Sequence, residues 1–317
     1  MQMQGMQNSI KTIGGNLMLL LTTFFWGITF IVVKDAVAQV DVFLFLCQRF
    51  SLAFLLLLLP FPLLRQRLTL KTVRGGIMLG LWLFGVFAFQ TVALVYTSAS
   101  NTAFLTGLNV VLVPLLSALI YRQYIAHNAR VGVMLAFSGL YLLCTNGNLA
   151  LNMGDMLGVI CAICVAVHIM LTARYVQSCN IYWLTTLQIG TIGLLSGLIA
   201  LFSGEQIFIW YPQIRNALLI CVLFATVFAY VTQTTMQRYI SPTNTALIFC
   251  MEPVFAALAA YIVIDERLTL RGYLGAGMIL SGMLLAELSP GFFKNSRRRL
   301  RFSIPVQNLT ARSKPEA

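Results

Sequence analysis

Charge is scarce in this 317-residue sequence: Asp, Glu, Lys and Arg together make up 9% of it, and only nine of those residues are acidic. Histidine is scarcer still, with His127 and His168 alone, too few for a histidine-cluster metal centre. No Gly-Lys dipeptide occurs, which removes the P-loop and ATP hydrolysis by that route. The seven cysteines fall mostly in apolar stretches. Cys161-Ala162-Ile163-Cys164 lacks the second pair, or the histidine, that a zinc site needs. An intramembrane protease pairing His168 with Ser196 or Ser138 has no motif context. Neither metal nor cofactor is expected, and the chain does not read as an enzyme.

What is abundant is apolar residues, at 59%, and they come in runs. From Gly75 to Tyr121 there is no charge at all. As one helix that run would be about 70 Å long, over twice a hydrocarbon core, so it must turn back. Thr97-Ser98-Ala99-Ser100-Asn101 supplies the turn, because short polar side chains bond to nearby backbone and favour bends and helix starts. The same reasoning predicts an all-α integral membrane protein of ten transmembrane helices: Gly15 to Val33, Val42 to Pro62, Gly75 to Val95, Thr102 to Tyr121, Val131 to Thr145, Met156 to Val176, Trp183 to Phe202, Ala217 to Met236, Thr243 to Ile264 and Gly272 to Ser289.

The net charge of +12 orients these spans rather than pointing to nucleic acid, because the positives sit in short connectors and the tail. With the N-terminus cytoplasmic, one side carries Lys11, Arg65, Arg67, Lys71, Arg74, Arg122, Arg130, Arg174, Arg238 and seven tail positives, against Lys34, Arg215, Arg267 and Arg271 opposite. Both termini are expected in the cytoplasm. Ala36-Val37-Ala38 resembles a signal-peptidase site, but the apolar run before it is too long for a signal sequence and Lys34-Asp35 intervenes. The composition of the tail, 290–317, predicts disorder, and Arg297-Arg298-Arg299-Leu300-Arg301 could meet anionic lipid headgroups. Asn308-Leu309-Thr310 is a sequon in form only on that side.

The chain also repeats. At an offset of 143 residues Gln90-Thr91 falls on Gln233-Thr234, Tyr96 on Tyr239, Ser98 on Ser241, Asn101-Thr102-Ala103 on Asn244-Thr245-Ala246, Gly132 on Gly275 and Ser138-Gly139 on Ser281-Gly282, without a gap. Two five-helix units are expected, 15–145 and 155–289. Since five is odd, they insert with opposite topology. Inverted repeats of this kind allow one bundle to rock against the other around a site near the bilayer midplane.

Several of these segments resemble a known family. Trp26-Gly27-Ile28-Thr29-Phe30, Arg49-Phe50, Asn101-Thr102-Ala103, Glu252-Pro253-Val254-Phe255-Ala256-Ala257 and Asp265-Glu266-Arg267-Leu268-Thr269 are similar to the EamA branch of the drug/metabolite transporter superfamily. The resemblance implies an exporter or permease for amino acids or other small metabolites, in a bacterial inner membrane; the sequence leaves monomer and homodimer open. The halves differ where Asn109-Val110 stands opposite Glu252-Pro253 and Arg122-Gln123 opposite Asp265-Glu266, so the charged chemistry is asymmetric.

Glu252 is the acidic residue that falls well inside a span, and an intramembrane carboxyl is a candidate for carrying a proton; the alternative is a protonated carboxyl bonded across helices. Pro253 removes a backbone donor and can kink its helix. Arg49 could pair with Glu252, bind a substrate carboxylate, or snorkel outward near Asp41. His168 could contact substrate or relay a proton, or simply pack. Trp26 with Phe30, and Trp82 with Phe89, form aromatic helix faces suited to an apolar substrate portion or to packing. Gln90 and Gln233 occupy equivalent positions and need polar partners, which makes them cavity candidates; Asn101 and Asn244 are a second equivalent pair. Gly193 and Gly197 suit close helix packing.

Overall fold

The computed structural model describes residues 2–60, 67–121, 127–144, 152–206, 211–240 and 242–287, and all regular structure in them is helical. The tail, its arginine run and the Asn308 sequon lie outside the described residues. In chain order the first repeat contributes α1 (Gln2–Val37), α2 (Val42–Leu58), α3 (Leu70–Tyr96), α4 (Ala99–Gly107), α5 (Asn109–Tyr121) and α6 (His127–Cys144). The second contributes α7 (Met153–Tyr175), α8 (Ile181–Phe202), a 3-10 turn (Pro212–Ile214), α9 (Arg215–Val222), a π-helical segment (Leu223–Phe228), α10 (Ala229–Met236), α11 (Pro242–Phe249), α12 (Glu252–Ile264) and α13 (Leu270–Glu287).

Among the described residues, seven segments are long and apolar enough to cross a membrane: Gly14–Val37, Leu70–Tyr96, Ala99–Ile120, Met153–Tyr175, Ile181–Phe202, Pro212–Met236 and Asn244–Ile264. Val42–Leu58, Arg130–Leu143 and Leu270–Leu285 are apolar but shorter. Leu55, Leu119, Met134, Leu194, Phe202 and Ile262 point outward. Exposed apolar side chains in such number would be a liability in water, whereas in a bilayer they face lipid. The chain is a multi-pass membrane protein.

Polar side chains set the helix ends. Asp41 Oδ1 accepts from the backbone N–H groups of Phe43 and Leu44, and Thr69, Ser98, Asn152 and Asn180 cap α3, α4, α7 and α8 in the same way. The turn expected at Thr97-Ser98 is therefore a cap, with Ser98 Oγ accepting from Asn101 N at 3.1 Å. Two expected spans are not continuous. Thr102 to Tyr121 breaks at Leu108, and Thr243 to Ile264 breaks at Cys250-Met251, positions related by the 143-residue offset. Pro253 is the second residue of α12 rather than a kink within a helix, where its missing N–H costs nothing.

The repeat is visible in the packing. Both α2 with α8 and α6 with α13 are pairs of offset-related helices packed on each other, and α1 packs on α12 as its counterpart α7 packs on α5. At the α6–α13 crossing a Cβ on Gly139 would come within 2.5 Å of the Gly275 carbonyl oxygen, and one on Gly275 within 2.6 Å of the Gly139 oxygen. Backbones this close require glycine. Gly193 and Gly197 likewise face Ser51 and Cys47 of α2. Two large apolar clusters form most of the interior, one around Phe45, Phe50, Phe87 and Ile189, the other around Leu105, Val110, Ile169 and Phe249, with a small third one around Leu79 and Leu184; Trp26 packs against both large ones.

Candidate functional site

Between the two clusters lies a cavity of about 50 Å3, lined from both repeats. On α1 it takes Trp26, Thr29, Phe30 and Val33, and on α3 Leu83, Val86, Phe87 and Gln90, each set spaced i, i+3, i+4, i+7 along one helix face. The broken helices meet it at their gaps. Thr106 comes from the end of α4, Phe249 from the end of α11 and Glu252 from the start of α12. Arg49, Thr91, His168, Tyr230 and Gln233 complete the polar lining. Seven of the residues singled out in the sequence (Trp26, Phe30, Arg49, Gln90, His168, Gln233 and Glu252) are brought to one cavity from six helices.

Glu252 is 7% exposed and makes no hydrogen bond or ion pair among the described residues. It is the first residue of α12, where the helix dipole favours an anion. Its counterpart Asn109 is the first residue of α5 and bonds locally, donating from Nδ2 to the Thr106 carbonyl at 2.8 Å. The break in each repeat thus carries one polar side chain, acidic in the second repeat only. Gly27 brings α1 against this point: a Cβ there would lie 2.6 Å from Phe255 Cβ and 2.9 Å from the Glu252 carbonyl oxygen.

Arg49 neither pairs with Glu252 nor snorkels. It is 2% exposed, and among the described residues its hydrogen-bond acceptors lie on the π-helical segment. Nε donates to Thr226 Oγ1 at 2.9 Å and Nη2 to the Ala225 carbonyl at 3.4 Å. Thr226 in turn donates to the Cys221 carbonyl at 2.8 Å, which aims its lone pairs at the guanidinium. The Ala225 carbonyl also accepts from Trp26 Nε1 at 2.9 Å. The π segment therefore ties α1 and α2 together through a carbonyl that the wider turn turns outward. Phe50 and Phe87 flank the guanidinium, its carbon 5.0 and 4.8 Å from their ring centres, within cation–π range.

His168 belongs to a bonded chain. Gln188 donates from Nε2 to Thr234 Oγ1 at 3.3 Å, so its Oε1 accepts from His168 Nε2 at 2.9 Å and holds the ring in the Nε2–H form. Gln90 Nε2 reaches Thr106 Oγ1 at 3.5 Å, and Thr106 links onward to Cys161, whose thiol donates to the Val86 carbonyl. Trp26, Tyr230 and Phe249 form an aromatic wall, with ring centres 5.4 and 5.0 Å from Trp26.

Asn101, Asn244 and Pro253 do not line the cavity. Asn101 sits in the first turn of α4, its Nδ2 reaching Thr97 Oγ1 at 3.5 Å, and Asn244 in the first turn of α11. Pro253 packs on Gly107, where the two broken helices cross. The aromatic face of α3 at the cavity is Phe87, and neither Trp82 nor Phe89 is part of the lining. Thr226, Gln188, Tyr230 and Thr106 were not singled out in the sequence; their offset positions hold Leu83, Phe45, Phe87 and Phe249, so the repeat gives no polar signal for them.

Comparison with known proteins gives a consistent picture. The model of the EamA-like transporter family matches residues 13–145 and again 152–288. An uncharacterized transporter of Archaeoglobus fulgidus is 33% identical over 289 residues, 90% of this chain and 89% of that protein. The uncharacterized transporter YyaM of Bacillus subtilis is 26% identical over 287 residues, 86% and 92% of the two chains. A solved crystal structure aligns with 91% of this chain and 99% of its own at a TM-score of 0.64 and 18% identity, a likeness of fold.

Proposed function

This chain belongs to the EamA-like transporter family, and from that premise we propose that it is a secondary transporter that exports small organic metabolites such as amino acids across a bacterial inner membrane by proton-coupled alternating access. The observation that carries the reading is the convergence of Glu252, Arg49 and His168 from three helices on one cavity between the repeats. Discontinuous helices meeting at a repeat interface are the usual setting of a transporter site. In this reading the seven long and three shorter apolar segments make ten spans, two inverted five-helix units, with both termini and Arg238 on the cytoplasmic side.

Arg49 suits an anionic group on the substrate and the aromatic wall an apolar portion. Glu252 exchanges the coupling proton. At about 50 Å3 the cavity holds a few waters and no metabolite, so a substrate enters only when the helices part. The test is flux of a labelled pool of amino acids and other metabolites in proteoliposomes, with and without an imposed pH gradient. Movement that follows the gradient is the expected result. Movement indifferent to the gradient would make the protein an uncoupled facilitator, and no movement of any compound would contradict the transport reading.

A further inference from the structure

Gln237 follows the last residue of α10 and is 1% exposed, yet neither its Nε2 nor its Oε1 has a hydrogen-bond partner. Gln233, one turn earlier, also has an unpartnered buried Oε1. Asn16 of α1, whose neighbour Gly15 packs against Met236 and Ile240, has an unpartnered buried Oδ1. Buried amides are almost always bonded, to protein or to ordered water, and none of these finds protein. Tyr230, Gln233 and Gln237 are spaced three and four apart and share one helix face; the first two line the cavity. Gln237 is not itself in the lining but continues that helix face by about one turn, roughly 6 Å, toward the Arg238 end of the bundle.

The offset-related position is Leu94, which lines the cavity on the other side and is 2% exposed. Beyond Leu94 that end is tied shut. Lys34 Nζ donates to the Thr97 carbonyl at 2.9 Å, Thr97 Oγ1 to Asp155 Oδ1 at 3.2 Å, and the Ser100 N–H to Glu266 Oε1 at 3.1 Å. The first two bonds join α1 and α7 at the end of α3, and the third joins α4 to the segment after α12. The two ends of the cavity thus differ although the repeat relates them: one continues as a polar face without partners, the other as a leucine under a hydrogen-bonded cap.

We propose that Gln233 and Gln237 line a water-filled passage from the cavity to the Arg238 end, and that Leu94 is the dry plug at the opposite end. The purpose of such a passage rests on the transport reading: in this conformation water and protons would exchange with the Arg238 side only, and substrate would follow from that side once the helices part.

Gln237→Cys and Leu94→Cys in the purified full-length protein, treated with 2-aminoethyl methanethiosulfonate and mapped by peptide mass spectrometry against the seven native cysteines, test it. This small cationic reagent modifies thiols that water reaches, so labelling at 237 should be about tenfold faster than at 94, or more. Equal or slower labelling at 237 would overturn the passage. Gln237→Glu gives a second readout that decides the matter if the cysteine variant does not fold. A hydrated site tolerates the carboxylate and keeps the wild-type melting temperature to within a few degrees, whereas loss of folded protein would mean that the site is dry. Neither readout involves flux, so a failed transport assay leaves the passage standing, and failed labelling leaves the transport reading standing.

Discussion

Arg49 owes its place to Thr226, and the pair makes a sharp test at the scale of single residues. A hydrogen bond to a charged group contributes about 1.5 to 3 kcal/mol. Thr226→Val keeps the shape and removes the acceptor, so transport of an anionic substrate should show a KM raised about tenfold or more, with little change in maximal rate. Thr226→Ser should restore it; a Val variant with unchanged KM would remove Arg49 from substrate binding. Arg49→Lys keeps the charge but loses the planar fork whose Nε and Nη2 reach Thr226 and Ala225 together, and should lose at least as much. Glu252 was legible in the sequence because a carboxyl in an apolar run stands out, and Gln90 and Gln233 because the repeat pairs them. Thr226 was not, since threonine is ordinary in membrane helices and its counterpart is Leu83. Nor could the sequence choose Phe87 over Trp82 on α3: with apolar residues on every face, a membrane helix gives little amphipathic signal for which side turns inward.

Among the elements, the crossing of α1 and α12 at Gly27 controls the site most directly. Gly27→Ala would place a methyl 2.6 Å from Phe255 Cβ, close to the first turn of α12 that carries Glu252. Overpacking of this kind typically costs about 1 to 3 kcal/mol, read as a lowered melting temperature, and transport should fall further than stability because Glu252 is displaced. Wild-type melting together with wild-type flux would show that the two helices need not touch. Charge-free runs and the polar turn at Thr97-Ser98 located most helix ends to within about five residues, but α1 begins at Gln2, well before the expected Gly15. The breaks at Leu108 and at Cys250-Met251 were less visible, because Leu108 is not a breaking residue and Pro253 lies two residues inside the following helix. The π segment, 223–228, contains neither glycine nor proline, and its wider turn follows from tertiary bonds to Arg49 and Trp26 that no local pattern encodes.

For the whole molecule, ten spans with both ends inside predict that reporters fused at either terminus behave as cytoplasmic: green fluorescent protein bright and alkaline phosphatase inactive in bacterial cells. Active phosphatase at one end would require an odd number of spans and undo the inverted arrangement. The 143-residue offset made the two-unit organisation readable, because polar matches such as Asn101 with Asn244 recur without a gap. What it left hidden is how the units interlock, each packing α1 or α7 against the broken helix of the other. That interlocking puts Glu252, Arg49 and His168 around one space, and coupling of substrate to protons through Glu252 is the claim on which the account stands or falls. The most direct measurement is internal pH, followed with a trapped fluorescent dye, in proteoliposomes given substrate and no imposed gradient. The wild type should shift internal pH as substrate moves, while Glu252→Gln should exchange substrate for substrate without any pH change. A Glu252→Gln protein that still moved protons with its substrate would contradict the account.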